Sequence, residues 1–159
     1  MPTVEFHDAF IGQHFGHHDR FRQRQPGRRW RFEQVRVPSP ELRCLYPDPG
    51  VSPENPSGLM GSVGLPATPY QGEAIQAMAG AIERALAANT ADTHNAALRK
   101  VLAFRDGGVA LIQSVSQPFA LSRLANTWYV REGTHRAIAL ALLHEPSIEG
   151  IDFESAVLL

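Results

Sequence analysis

A strand-to-helix junction near the C-terminus carries the residues best suited to chemistry. An apolar segment ends at Glu132 and Gly133, and a helical pattern begins at once with Thr134, His135 and Arg136. The first amides of a helix lack partners inside the helix and carry a partial positive charge, so they bind anions well. A glycine lets an anion approach the backbone, and a guanidinium can bind phosphate through two hydrogen bonds. The junction therefore predicts a phosphate-binding turn.

The same residues also have a purely structural interpretation. Thr134 could cap the helix, His135 could pack in the core, and Arg136 could pair with an acid such as Glu132. Spacing alone favours this simpler interpretation, because a single Gly-x-His-Arg sequence is a weak signal. In the functional alternative, Arg136 grips a phosphate and His135 donates or transfers a proton.

The elements that must position this turn follow from hydrophobic periodicity. Apolar residues at helical spacing predict helices, and short alternating runs around turn residues predict strands. A second helix is expected to begin at an N-cap Thr93 and to end at Gly107 and Gly108. The expected helices are 73–88, 93–107 and a buried 134–144, and the expected strands are 31–37, 42–46, 119–124, 128–131 and 151–159. These elements predict an α/β (α+β) fold, a small mixed sheet with flanking helices.

Composition divides the chain into three zones. Residues 1–37 are rich in histidine and arginine, and we expect an N-terminal arm with a short strand. Residues 38–71 hold many prolines and glycines and are expected to form a loop or linker. Residues 72–159 carry the regular patterns and form the predicted core.

Bulk properties exclude several classes of protein. The chain has 159 residues, 43% of them hydrophobic, which fits one globular domain. A net charge of -1 excludes bulk attraction to polyanions, and no apolar run has the length of a bilayer span. Cys44 is the single cysteine, so a disulfide within the chain is excluded and a cytoplasmic location without a secretory signal is expected. Lys100 is the single lysine among many arginines, which indicates a GC-rich, bacterial or phage gene.

The order of elements around the junction resembles the ParB/sulfiredoxin-like superfamily. The likeness covers about residues 98–159: a helix, Gly107-Gly108, a hairpin that ends in the Gly-x-His-Arg turn, and an Ala/Leu-rich helix. Members include CTP-binding partition proteins, sulfiredoxin and free serine kinases. The resemblance implies that Gly133, Thr134, His135 and Arg136 bind the phosphates of a nucleotide (ATP, ADP or CTP).

The resemblance also implies one kind of reaction and argues against another. Some phosphotransferase members carry an acidic residue where this chain has Glu132. By this resemblance Glu132, His135 and Arg136 would be catalytic, and Glu132 would hold Mg²⁺ or activate a hydroxyl. Those kinases use a further upstream glutamate, for which Glu33, Glu41 and Glu54 are alternatives. Sulfiredoxin's reactive cysteine is replaced by Thr134, so sulfinic acid reduction is not expected. The expected function is nucleotide binding, with phosphoryl transfer or nucleotide hydrolysis as its reaction.

The N-terminal zone supports an alternative of another class, a non-enzymatic nucleic-acid-binding accessory protein. Guanidinium groups neutralise phosphates, and aromatic rings stack on unpaired bases. The residues that would make these contacts are Arg20, Arg22, Arg24, Arg28, Arg29 and Trp30. The same residues could instead contact a protein partner, or cap the domain with Trp30 buried.

Histidines in the same zone raise the question of a metal site. His14, His17 and His18, with Asp19, offer ligand types that transition metals prefer. Gly12 and Gly16 make a helix here poor, and the spacing matches no known metal signature. We therefore favour a solvated arm and predict no metal site. Substrate, oligomeric state and the order of residues 38–71 stay open.

Overall fold

The computed structural model of the protein describes residues 2–22, 25–44, 58–64 and 72–159. The described helices and strands alternate along the chain, with short 3-10 turns between some of them. In chain order they are β1 (Thr3–His7), α1 (Asp8–Phe15), β2 (Arg29–Pro38), β3 (Leu42–Cys44), α2 (Leu59–Ser62), α3 (Ile75–Ala87), α4 (Ala96–Gln113), β4 (Ala120–Leu124), β5 (Thr127–Glu132), α5 (Thr134–Leu142), β6 (Ser147–Asp152) and β7 (Val157–Leu158).

The seven described strands form one mixed sheet in the order β1-β2-β6-β4-β5-β3, and β7 also pairs with β2. Two pairs, β3 with β5 and β4 with β6, are parallel, and the remaining pairs are antiparallel. The expected fold class, a small mixed sheet with flanking helices, is confirmed.

The sheet separates two apolar clusters, as the alternation of side chains along a strand requires. On β2, Trp30 and Phe32 enter one cluster, whereas Val35 and Val37 pack in the other. The larger cluster holds the apolar faces of α3, α4 and α5. The smaller one is aromatic and contains Phe15 of α1. Both faces of the sheet are therefore covered.

Helix α4 shows where local sequence and structure differ. Thr93 is not its N-cap: the side chain of Asn95 accepts a hydrogen bond from Leu98 N at 3.0 Å. The expected end at Gly107 and Gly108 is confirmed as a break: Gly108 has φ 77° and ψ -172°, which is not helical, and a second helical segment follows the kink. A glycine tolerates this conformation, so the chain bends there and resumes a helical turn to Gln113.

The N-terminal zone is part of the domain rather than a solvated arm. Strand β1 pairs with β2, and Ile11, Phe15 and Phe21 are fully buried in the aromatic cluster.

The C-terminal end of the chain differs from the expected final strand 151–159. Strand β6 begins earlier, at Ser147, and a 3-10 turn separates it from β7. Among the described helices, none has the length and apolar character needed to cross a lipid bilayer.

Candidate functional site

The predicted phosphate-binding turn lies where β5 meets α5. Gly133 is the N-cap of α5 with φ 96°, a left-handed conformation that favours glycine. No side chain caps this helix, so Thr134 does not have the capping role that the structural interpretation gave it. The first backbone bond of the helix runs from Ala137 N to Gly133 O at 2.8 Å. The amides that precede Ala137 are the helix donors suited to an anion.

Glycine is also required at position 133 by close packing. A Cβ atom there would lie 2.7 Å from a ring carbon of Phe119 and 2.9 Å from Nη2 of Arg136. Real Cβ contacts are essentially never this short. The guanidinium of Arg136 is therefore held directly beside the N-terminus of α5.

Arg136 is a buried cation with an incomplete set of partners. Its side chain is 5% exposed, Nη1 donates to Gln117 O at 2.7 Å, and the guanidinium lies 4.4 Å from the centre of the Phe119 ring. Nη2 is buried and has no hydrogen-bond partner. In the described part of the chain no carboxylate forms a salt bridge with Arg136, so the expected structural pairing with Glu132 is absent.

This arrangement costs free energy. Burial lowers the pKa of Arg136 from its ordinary value, and the Glu132 carboxylate opposes that shift. The ordinary value is so high that the side chain stays charged at neutral pH. A buried N–H without a partner costs about 1–3 kcal/mol. A hydrogen-bond acceptor that reached Nη2 would remove that cost.

His135 does not contribute a positive charge at neutral pH. Burial lowers its pKa to about 4, and the positive charge of Lys100 adds to the effect. The neutral ring can still donate one hydrogen bond and accept another. It can therefore orient a ligand, but it does not neutralise a phosphate.

Next to Arg136 the surface opens into a cleft of about 750 Å³. Its walls include Val109, Ile112, Phe119 and Leu140. Ligand pockets in proteins commonly have volumes of about 300–1,000 Å³ with largely apolar walls. Of the five residues predicted at the junction, Arg136 alone lines this cleft.

Glu132 faces a different set of residues because of an irregularity in the β4–β5 hairpin. Ala120 faces Glu132 across the ladder. Its neighbour Leu121 faces Val130, which leaves Arg131 as an extra residue in β5. Such a bulge changes the direction of the side chains around it.

The bulge places Arg131 and Glu132 on the side of the aromatic cluster. The Arg131 guanidinium lies 5.1 Å from the ring centre of Phe153. Oε1 of Glu132 lies 2.7 Å from Nε2 of His17 and 2.8 Å from Nε2 of His18. The His18 ring itself lies 4.8 Å from that of Phe153. Two histidines and a glutamate, more than a hundred positions apart in sequence, thus form one cluster, which we call the His–Glu cluster.

One residue, Gln117, connects the end of α1 to Arg136. The amide nitrogen of Gln117 donates to His14 O at 3.2 Å, at the end of α1. The backbone oxygen of Gln117 accepts from Arg136. Gln117 therefore links the C-terminal end of α1 to the first turn of α5.

The arginines proposed for nucleic-acid contact mostly have partners within the protein. Arg20 pairs with Glu154, Arg22 with Asp19, and Arg29 with Glu5. Arg28 donates to Leu159 O and to Gln25. Arg24 lies outside the described residues.

Trp30 is not placed to stack on a base. It is 7% exposed, lies in the aromatic cluster, and donates through Nε1 to Asp8 at 3.0 Å. Its neighbours Phe21 and Phe32 are fully buried. The alternative in which this zone caps the domain with Trp30 buried is therefore the one that the structure supports.

The remaining candidates lie apart from the junction or outside the described chain. Glu33 is on β2, where it adds to the effect of burial in raising the pKa of Asp152. Glu41 is exposed in the 3-10 turn before β3. Asp19 is exposed as well, and Glu54 lies outside the described residues.

Sequence reasoning missed three parts of this region: the meeting of His17 and His18 with Glu132, the link through Gln117, and the packing of Phe119 on Arg136. The histidine doublet was visible as a set of possible ligands, but its partner lies 114 residues away. No family model, curated protein or solved structure matches the chain. The resemblance to the ParB/sulfiredoxin-like superfamily therefore stays a hypothesis.

Proposed function

We propose that this protein binds a nucleotide or another phosphorylated small molecule at the turn from Gly133 to Arg136. The observation that carries the proposal is Arg136, a buried guanidinium with one unpartnered nitrogen beside an uncapped helix N-terminus. Buried polar groups without a partner are rare in native proteins, and a bound ion or ligand is one reason for them. A phosphate oxygen is a strong acceptor for both a guanidinium and helix amides.

The adjoining cleft supports a ligand that carries an uncharged group in addition to its phosphate. The apolar part of its lining suits a base or another planar group, while Arg136 and the acidic residues Glu145 and Glu149 also line it. In this proposal Arg136 offsets the phosphate charge, and neutral His135 orients the ligand through a hydrogen bond. The cytoplasmic location expected from the cysteine content is part of the same proposal.

The reaction class expected at such a ligand is phosphoryl transfer or nucleotide hydrolysis, for which the resemblance implies Mg²⁺. Mg²⁺ prefers oxygen ligands in octahedral geometry. Glu132 is instead surrounded by two imidazole nitrogens. The residues at Glu132 therefore do not fit Mg²⁺, and no step of the proposal depends on it.

Calorimetric titration with ATP, ADP, CTP and inorganic phosphate tests the proposal. We expect Arg136→Met to weaken binding about 10- to 100-fold, since a charge-assisted hydrogen bond contributes about 1.5–3 kcal/mol. The variant should stay folded, because losing the bond to Gln117 O is offset by removing an unpartnered buried nitrogen. Thermal unfolding followed by circular dichroism checks this.

Arg123→Met is the matched control, because Arg123 is exposed and its contact with Asn126 is long, at 3.4 Å. It should bind like the wild type. The proposal is wrong if the wild type binds none of these ligands with or without divalent ions, or if folded Arg136→Met binds as tightly as the wild type.

A further inference from the structure

We infer that His17, His18 and Glu132 form a binding site for a divalent transition-metal ion of the Zn²⁺ class. One possible ligand atom from each of the three residues lies within 4.8 Å of the other two. The Nε2 nitrogens of both histidines are directed at the same carboxylate oxygen, at 2.7 and 2.8 Å. This convergence is what a single ion requires.

The distances are close to those of an occupied site. Zinc lies about 2.0–2.1 Å from imidazole nitrogen and carboxylate oxygen, so tetrahedral ligand atoms are about 3.4 Å apart. The two nitrogen–oxygen distances, 2.7 and 2.8 Å, are about 0.6 Å shorter than this, so separating each imidazole from the carboxylate by that amount would admit the ion. The two imidazole rings are already adjacent, with centres 4.3 Å apart.

The donor types select the class of metal. Imidazole nitrogens with one carboxylate suit zinc and its neighbours, whereas Mg²⁺ and Ca²⁺ prefer oxygen. Three protein ligands leave a fourth position for water or substrate, the pattern of catalytic rather than structural zinc sites. The side chain of His17 is 64% exposed, those of His18 and Glu132 are 19% and 21% exposed, and the open position therefore lies toward solvent.

The site is held by buried structure on both sides. The histidine doublet lies between Phe15 and Phe21, both fully buried, and His18 N donates to Phe15 O at 3.0 Å. Glu132 is directed toward the doublet by the bulge in β5. Because neither segment is a free loop, the ligands are largely preorganised.

Metal binding stands independently of the proposed function, whereas its role toward a phosphate rests on it. Glu132 directly precedes Gly133 in sequence, and its side chain lies on the side of the aromatic cluster, so the ion would lie near the backbone at the start of the turn assigned to phosphate. A Lewis acid there would polarise a phosphoryl oxygen or activate a water molecule. Metal binding is measured without nucleotide, so the two proposals can fail separately.

The test uses the full chain, stripped with EDTA and titrated with Zn²⁺ against a chromophoric chelator, and with Co²⁺ followed by visible absorption. We expect one equivalent of metal and Co²⁺ bands typical of four-coordination. Glu132→Gln and His17→Gln should each weaken binding at least about tenfold, since even partners outside the ligand shell contribute that much. His17 is exposed, so its variant should fold normally.

His144→Asn is the matched control. His144 also faces a glutamate, Glu83, at 3.9 Å, but it is a lone imidazole. Its φ is 59°, which asparagine tolerates, and metal binding should be unchanged. The inference is overturned if the wild type binds no Zn²⁺ or Co²⁺, or if folded Glu132→Gln and His17→Gln both bind as the wild type does.

Discussion

At the scale of single residues, Glu132 and Arg136 face different partners although they are one helical turn apart in sequence. Glu132 binds two histidines from the N-terminal zone, and Arg136 stacks on Phe119 and binds Gln117 O. If the two side chains paired with each other, their charges would be neutralised and neither side chain would be available to bind a ligand. Their separation leaves a buried cation and a carboxylate within reach of imidazoles, which is the basis of both proposals.

His135 gives a prediction about pH. Its pKa in the folded state is about 4, compared with an ordinary value of 6.5. Between these two pH values the side chain is protonated in the unfolded chain but neutral in the folded chain. The free energy of unfolding should therefore fall as the pH is lowered through this window. With partial exposure taken into account, we expect a loss of about 2 kcal/mol from this residue.

Urea unfolding of wild type and His135→Gln at neutral pH and within this window measures that loss. The difference between the two proteins isolates His135 from the other histidines. We expect the variant to lose less stability on acidification than the wild type does. An equal loss in both would show that His135 titrates normally in the folded protein.

At the scale of elements, the β5–α5 junction depends on a bulge and a glycine. The bulge directs Glu132 toward the aromatic cluster, and the left-handed Gly133 starts the helix. Helix α4 shows the same dependence on context, since Asn95 rather than Thr93 caps it. Asn95 also donates from Nδ2 to Gly58 O at 3.3 Å, a contact from another segment that sequence does not reveal.

Gly133 allows a positive φ and also leaves room for Phe119 and Arg136. Comparing substitutions at Gly133 and Gly27 separates these two effects. Gly133→Ala combines a positive φ with contacts of 2.7 and 2.9 Å, and should lower the free energy of unfolding by about 2–4 kcal/mol. Gly27 also has a positive φ, 84°, but nothing lies within 4 Å of its would-be Cβ. Gly27→Ala should therefore cost only about 1 kcal/mol.

Chemical denaturation of the two glycine variants measures these costs. If Gly133→Ala lost no more stability than Gly27→Ala, Phe119 and Arg136 would have to move aside freely. The close packing described at the helix N-terminus would then be incorrect.

At the scale of the whole molecule, the N-terminal zone covers the second face of the sheet and is therefore part of the folded domain. It contributes β1, α1 and most of an aromatic cluster, so it cannot be removed without exposing Ile151 and Phe153. The His–Glu cluster exists only because this zone packs beside the β5–α5 junction.

Phe15 tests this integration. It is fully buried in the aromatic cluster and directly precedes the segment of His17 and His18. Phe15→Ala should cost about 3–5 kcal/mol of unfolding free energy through the cavity it leaves, and Val157→Ala, at a 53% exposed position, less than about 1 kcal/mol. Thermal and urea unfolding provide the comparison, and a small cost for Phe15→Ala would mean that the N-terminal zone is only loosely attached.

Periodicity along the chain was enough to predict the α/β class, α3, the β4–β5 hairpin and the buried α5. These features depend on the spacing of apolar residues over one element, which is local information. The strand-to-helix turn at Gly133 was predictable for the same reason.

Only the tertiary structure decided which side chains meet. Trp30 was expected to stack on bases, but sheet pairing placed it in a core together with Phe21 and Phe32. The convergence of His17 and His18 on Glu132 requires a bulge and contacts across more than a hundred residues. Such contacts depend on the register of strands and on packing between distant segments, because the composition of each segment allows several arrangements and only the folded chain selects one.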